Sequence, residues 1–134
     1  TVSVGRGTDK QFQIVGHPKY SVGSFLFTPE SREGAKYPKH ENTPCYGTNL
    51  QGITKGKLHE SKQLDLTYLI NFYTLLSELD EPFFLENNFF EKLAGTGELR
   101  KQIIEGKTEE EIRNSWQPGL EEFKLMRSKY LLYD

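Results

Sequence analysis

The 134 residues carry 17 Lys and Arg against 19 Asp and Glu, a net charge of −2 that leaves no basic excess for tracking a nucleic-acid backbone or gripping a membrane surface. The length suits a single domain, and nine Phe with seven Tyr predict a core rich in aromatic rings. Cys45 is the only cysteine, which excludes an internal disulfide and a thiolate metal cage, and no apolar run approaches the roughly 20 residues of a membrane-spanning helix.

The chain opens Thr1-Val2-Ser3-Val4, without an initiator Met or a charged leader, so targeting information is expected upstream. Gly5-Arg6-Gly7-Thr8 has a superficial look of a phosphate loop but lacks both the Lys-Ser/Thr ending and the GxGxxG spacing. Flanking glycines permit a tight backbone, and an arginine held between them presents a planar fork that fits a carboxylate. The alternative is that Arg6 merely ties its loop to a neighbouring acidic residue. Asp9 to Val15 reads as a short helix, with Thr8 as N-cap and Gly16 and Pro18 at its end. Ser24 to Thr28 is strand-prone and is stopped by Pro29, and Tyr46 to Leu50 reads as a second strand. Between them, residues 29–45 hold three of the six prolines and read as an exposed loop.

The second half changes texture. Thr67, Asn71, Thr74 and Glu78 form a narrow polar stripe on a helix predicted from Leu64 to Leu79, whose remaining faces are apolar, so it is expected to be buried on most sides. Asn88 with Glu91, and Thr108 with Glu111, have the spacing of capping boxes. Thr96 is expected to cap a helix through Ile104 that Gly106 ends. Pro118 suits the first turn of a final helix, and Tyr130 to Tyr133 an apolar anchor after it. Trp116, Phe123 and Tyr130 recur at i, i+7 and i+14 and are expected in the core. Strand patterns in one half and helix patterns in the other predict an α/β (α+β) domain: a small sheet from the N-terminal half packed on a buried helix, with a helical C-terminal half.

Catalytic chemistry is sparse. His17, His40 and His59 lie far apart without metal-ligand spacing and are expected as loop or surface histidines. No serine stands in a GxSxG elbow, and Cys45, with no cation beside it, is expected to be a buried structural thiol. Asp9, Glu30, Glu33 and Glu41 occupy the loop-rich half, where a glycosidase would place its two carboxylates roughly 5 to 9.5 Å apart. No pair among them stands out, and Glu109, Glu110, Glu111, Glu121 and Glu122 read as solvated helix faces or first-turn charges.

Taken in order, Val2-Ser3-Val4-Gly5-Arg6-Gly7-Thr8-Asp9-Lys10-x-Phe12, Ile14-x-Gly16-x-Pro18, Phe27-Thr28-Pro29, Cys45-x-Gly47, Phe90-x-Lys92-Leu93-Ala94-Gly95-Thr96 and Tyr130-Leu131-Leu132-Tyr133 follow one family pattern. With Leu99-Arg100, Gly106, Ile112, Trp116 and Leu120 between them, the chain resembles, over essentially its whole length, the C-terminal domain of the bacterial exo-β-N-acetylmuramidase (NamZ-type) family. The resemblance implies a two-domain protein whose N-terminal Rossmann-like domain carries the main catalytic carboxylate. The C-terminal α/β domain would then close the other side of the cleft. It further implies release of N-acetylmuramic acid from the non-reducing ends of cell-wall fragments, no redox cofactor, and a periplasmic or extracellular setting. The partners expected are the N-terminal domain and a muramyl sugar, with no nucleic acid. The isolated chain is expected to be inactive. Gly5, Arg6, Gly7, Thr8, Asp9, Tyr46 and Asn49 are the candidate cleft residues, and no metal ligand is expected. A sugar- or peptidoglycan-binding module attached to another domain is the alternative; a self-sufficient hydrolase would need a constellation the residues do not supply.

Overall fold

The computed structural model describes residues 1–53 and 55–133. The chain folds as two units, Thr1–Glu86 and Asn87–Asp134.

The first unit is built on an antiparallel sheet of β1 (Ile14–His17), β2 (Phe25–Phe27) and β3 (Cys45–Asn49), in the order β1-β3-β2. Both expected strands are present. The third replaces the short helix expected from Asp9 to Val15: residues 9–13 are turns, and β1 follows. Phe12 adopts a left-handed φ of 60°, which no α-helix accommodates, and its N–H donates to the Val4 carbonyl at 2.8 Å. Ser3 and Gly16 exchange backbone hydrogen bonds of 2.9 and 3.0 Å, while β1 pairs with β3 some thirty residues away. These long-range partners override a weak local helix preference. Ile14, Phe27 and Cys45 form the buried core of the sheet, with Phe25 packed against them.

Gly47 lies opposite Gly16 in the β1–β3 pair, and a Cβ on it would sit 1.9 Å from the Val15 carbonyl oxygen. The strands are therefore pressed together where neither carries a side chain. A 3-10 turn (Leu50–Gly52) and helix α1 (Lys55–Ser61) follow. Helix α2 (Thr67–Glu78) carries the predicted polar stripe on its exposed side, but only Phe72 and Leu76 are fully buried within it. Its other large apolar residues are half-buried, so α2 is less enclosed than its composition suggested. Phe72 stacks on Tyr20 of the β1–β2 connection, with ring centroids 4.5 Å apart, which packs the helix against the sheet's connecting loop. Asp80, at φ 53°, ends the helix, and the Glu81 N–H closes onto the Leu76 carbonyl at 2.8 Å.

The second unit holds α3 (Phe89–Ala94), α4 (Glu98–Ile104) and α5 (Glu109–Arg127), with Leu99, Ile103 and Ile112 buried. The capping box at Thr108 and Glu111 forms as predicted, with hydrogen bonds of 2.8 and 3.2 Å. The one expected at Asn88 does not. Asn88 is left-handed, at φ 53°, Asn87 Oδ1 accepts the Phe89 N–H instead, and Glu91 pairs with Arg100 of α4 at 2.8 Å. Thr96 Oγ1 accepts the Glu98 N–H at 3.1 Å, and Gly106, at φ 74°, ends α4. Pro118 lies inside α5 and does not begin a new helix, because the helix already starts at the Thr108 cap and simply forgoes one backbone donor at the proline. Within its own unit the expected core face of α5 is largely uncovered: Trp116 is half-buried, while Phe123 and Tyr130 to Tyr133 are exposed. Among the described residues no helix is long and apolar enough to cross a membrane.

Candidate functional site

The segment leading into β1 holds Arg6 at the crest of a rigid loop. Gly5 and Gly7 both adopt positive φ, 79° and 83°, the region in which a side chain is strained. Gly7 also has no room for one: a Cβ there would lie 2.6 Å from the Glu30 carbonyl oxygen and 2.8 Å from the Pro38 ring. The Glu30 N–H donates to the Gly7 carbonyl at 2.9 Å, so the loop after β2 is fastened directly onto this turn. That loop is mostly exposed, as expected, yet Pro29, Ala35 and Pro38 are buried anchors within it. Thr8 caps the turn, not a helix. Its hydroxyl donates to the Gly5 carbonyl at 2.7 Å and accepts the Lys10 N–H at 3.0 Å.

Arg6 itself is exposed. Its Nη2 donates to the Gly34 carbonyl at 3.1 Å, which fixes the guanidinium through one nitrogen. Among the described residues it enters no ion pair, so the loop is not held by an acidic partner. Asp9 is exposed and pairs with Arg32, which also reaches Glu30 at 3.8 Å. Asn49 is accounted for locally: its Oδ1 accepts the Gln51 N–H at 3.0 Å and caps the 3-10 turn, beside a polar cluster of Lys10, Gln13 and Gln51. Tyr46 is partly exposed on β3, on the face opposite Cys45. The seven candidate residues thus divide. Gly5, Arg6, Gly7 and Thr8 make one turn, Asp9 beside it is paired with Arg32, and Tyr46 and Asn49 lie elsewhere on the sheet; of the seven only Arg6 borders the recess next to it.

That recess, of about 500 Å³, is bordered by Arg6, Tyr37, Lys39 and His40, together with Val2, Ser3, Val4 and Pro38. None of these is a carboxylate. Tyr37, Lys39 and His40 come from the loop after β2; the sequence points to His40 only as a loop or surface histidine and to Tyr37 and Lys39 not at all. Their only signal was the density of Lys and Pro between two strands. His40 also overturns the expectation of isolated histidines: it meets His17 edge to face, with ring centroids 4.7 Å apart. His17 is buried at the end of β1, opposite Tyr46 of β3, and His40 Nε2 donates to the Thr1 carbonyl at 3.0 Å. Burial and the neighbouring His40 hold His17 down at about 4, and burial likewise lowers His40, so both rings are neutral near pH 7. His59 is exposed. Among the described residues no three His, Cys, Asp or Glu side chains are grouped to hold a metal ion. Cys45 is buried, and burial pushes its thiol up to about 11, which leaves it unreactive as a nucleophile.

A recess bordered by Arg6 and Lys39, with no carboxylate among its lining residues, is suited to holding an anionic ligand. Residues 1–133 match the family described as exo-β-N-acetylmuramidase NamZ, C-terminal. The chain is 32 % identical to the peptidoglycan β-N-acetylmuramidase NamZ of Bacillus subtilis (strain 168), over 98 % of this chain and 34 % of that protein. It superposes with a TM-score of 0.86 and 42 % identity on the crystal structure of a DUF1343 family protein from Bacteroides fragilis NCTC 9343, covering 99 % of this chain and 36 % of that one. It therefore spans about a third of the length of these relatives.

Proposed function

Because the chain belongs to the exo-β-N-acetylmuramidase NamZ C-terminal family, we propose that it is the C-terminal domain of a two-domain peptidoglycan exo-glycosidase, completing one wall of the sugar cleft. The catalytic carboxylate belongs to the N-terminal domain, and the product is N-acetylmuramic acid released from non-reducing ends. Such a protein works in the periplasm or outside the cell, where its substrate lies. The reading is supported by the coverage of a third of each relative and by a recess bordered by cations without a carboxylate.

The observation that carries it is Arg6. One nitrogen is tied to Gly34, and the rest of the guanidinium has no partner among the described residues. N-acetylmuramic acid differs from N-acetylglucosamine by a lactyl ether whose carboxylate is ionised at neutral pH. A braced fork accepts that group through two parallel charge-assisted hydrogen bonds, each worth about 1.5–3 kcal/mol. Arg6 thus reads the acidic sugar while the partner domain supplies the acid chemistry. In the two-domain protein, Arg6→Lys should lose most turnover of a chromogenic N-acetylmuraminide, since a point charge does not reproduce the bidentate geometry. Full activity in Arg6→Lys would make the residue structural. Turnover by residues 1–134 alone, abolished by changing one of their own carboxylates, would overturn the division of labour.

A further inference from the structure

We infer that Tyr37 and Lys39 form with Arg6 a subsite for an acidic pyranose, Lys39 and Arg6 flanking its carboxylate and Tyr37 facing its ring; this rests on the reading of Arg6 above and extends it to the loop after β2. Arg6 and Lys39 border the same recess, and neither enters an ion pair among the described residues. Arg32, by contrast, is neutralised by Asp9 and Glu30, and Lys19 by Glu81. Two unneutralised cations on one small recess repel each other, and an anion seated between them relieves that repulsion.

The aromatic ring narrows the choice of anion. Tyr37 is 82 % exposed at the same border, so its ring is open to a ligand seated there. Lys36 Nζ lies 5.5 Å from its centroid, a cation–π contact that steadies it. Cations alone would suit any small anion, but cations beside an exposed ring suit one carried on a body with an apolar C–H face, such as a pyranose. The framework is also fixed in advance. Pro38, buried against Gly7, stands between Tyr37 and Lys39, so the contact that braces the Arg6 turn positions both residues.

The test uses the two-domain protein with a chromogenic N-acetylmuraminide and its methyl ester, which keeps the sugar but removes the charge. Lys39→Gln should raise KM for the acid roughly tenfold, the value of one charge-assisted hydrogen bond, with kcat little changed and no effect on the ester. Tyr37→Ala should raise KM for both substrates. Neither should move the thermal midpoint, because both side chains are exposed. If Arg6→Lys loses activity while Lys39→Gln and Tyr37→Ala leave KM unchanged, or Lys39→Gln affects acid and ester alike, the subsite is wrong and the reading of Arg6 stands. If the wild-type protein turns over no muraminide, the proposed function falls and NMR titration of the chain with free N-acetylmuramic acid decides the subsite. Shifts at Tyr37 and Lys39 that N-acetylglucosamine does not produce would support it, and their absence would overturn it.

Discussion

Replacing Gly47 by alanine would strike the closest approach in the sheet. The new Cβ would sit 1.9 Å from the Val15 carbonyl oxygen and 2.7 Å from the Gly16 Cα, all of it backbone of the paired strand. A carbon–oxygen contact relaxes at about 3.3 Å or beyond. The strands must therefore separate by more than an ångström, which takes the neighbouring ladder bonds past the roughly 3.2 Å limit of a sound N–H···O bond. Losing two such bonds costs about 1–3 kcal/mol, and overpacking against atoms that cannot rotate away adds about 1–3 kcal/mol more. The expected loss is about 2–6 kcal/mol, a large share of the 5–15 kcal/mol typical of a domain. Gly119, in α5, is the control: a Cβ there meets nothing within 4 Å, so Gly119→Ala should stabilise its own unit by about 0.5–1 kcal/mol. A urea titration followed by backbone NMR signals reads each unit separately, Val15 and Tyr46 for the sheet and Ile112 for the helices. A Gly47→Ala sheet melting within about 1 kcal/mol of wild type would refute the argument.

Thr108→Ala removes one arm of the capping box and should cost the second unit about 1 kcal/mol in the same titration; an unchanged midpoint would mean the cap is not needed. His17, held at about 4 when folded against about 6.5 when unfolded, makes the unfolded chain bind the extra proton between those values. Stability conferred by the neutral ring is thus complete above about pH 6.5, falls as pH drops, and levels off below about 4, a loss of at most about 3 kcal/mol. An NMR titration of the His17 ring protons with a midpoint near 6.5 would contradict this. Cys45 should resist a thiol reagent at pH 8 in the native chain and react at once in denaturant; rapid native labelling would show that the sheet core is open.

The sequence by itself determined what depends on neighbours along the chain. Strand β2 stops at Pro29, the exposed stripe of α2 lies at helical spacing, Gly106 ends α4, and the Thr108–Glu111 box closes over three residues. The order of Gly5-Arg6-Gly7-Thr8 and the motifs after it were enough to identify the family. Wherever the deciding partner lay far along the chain, local signals misled. Asp9 to Val15 favours a helix until Ser3 and β3 claim the backbone of β1, and His17 meets His40 only because the loop after β2 returns to the end of β1. Apolar spacing on α5 predicts a core face that its own unit leaves exposed, because periodicity says which residues share a side, not what covers that side. The border of the Arg6 recess was invisible for the same reason. Tyr37 and Lys39 reach it through Pro38 against Gly7, a contact across thirty residues that only tertiary packing creates.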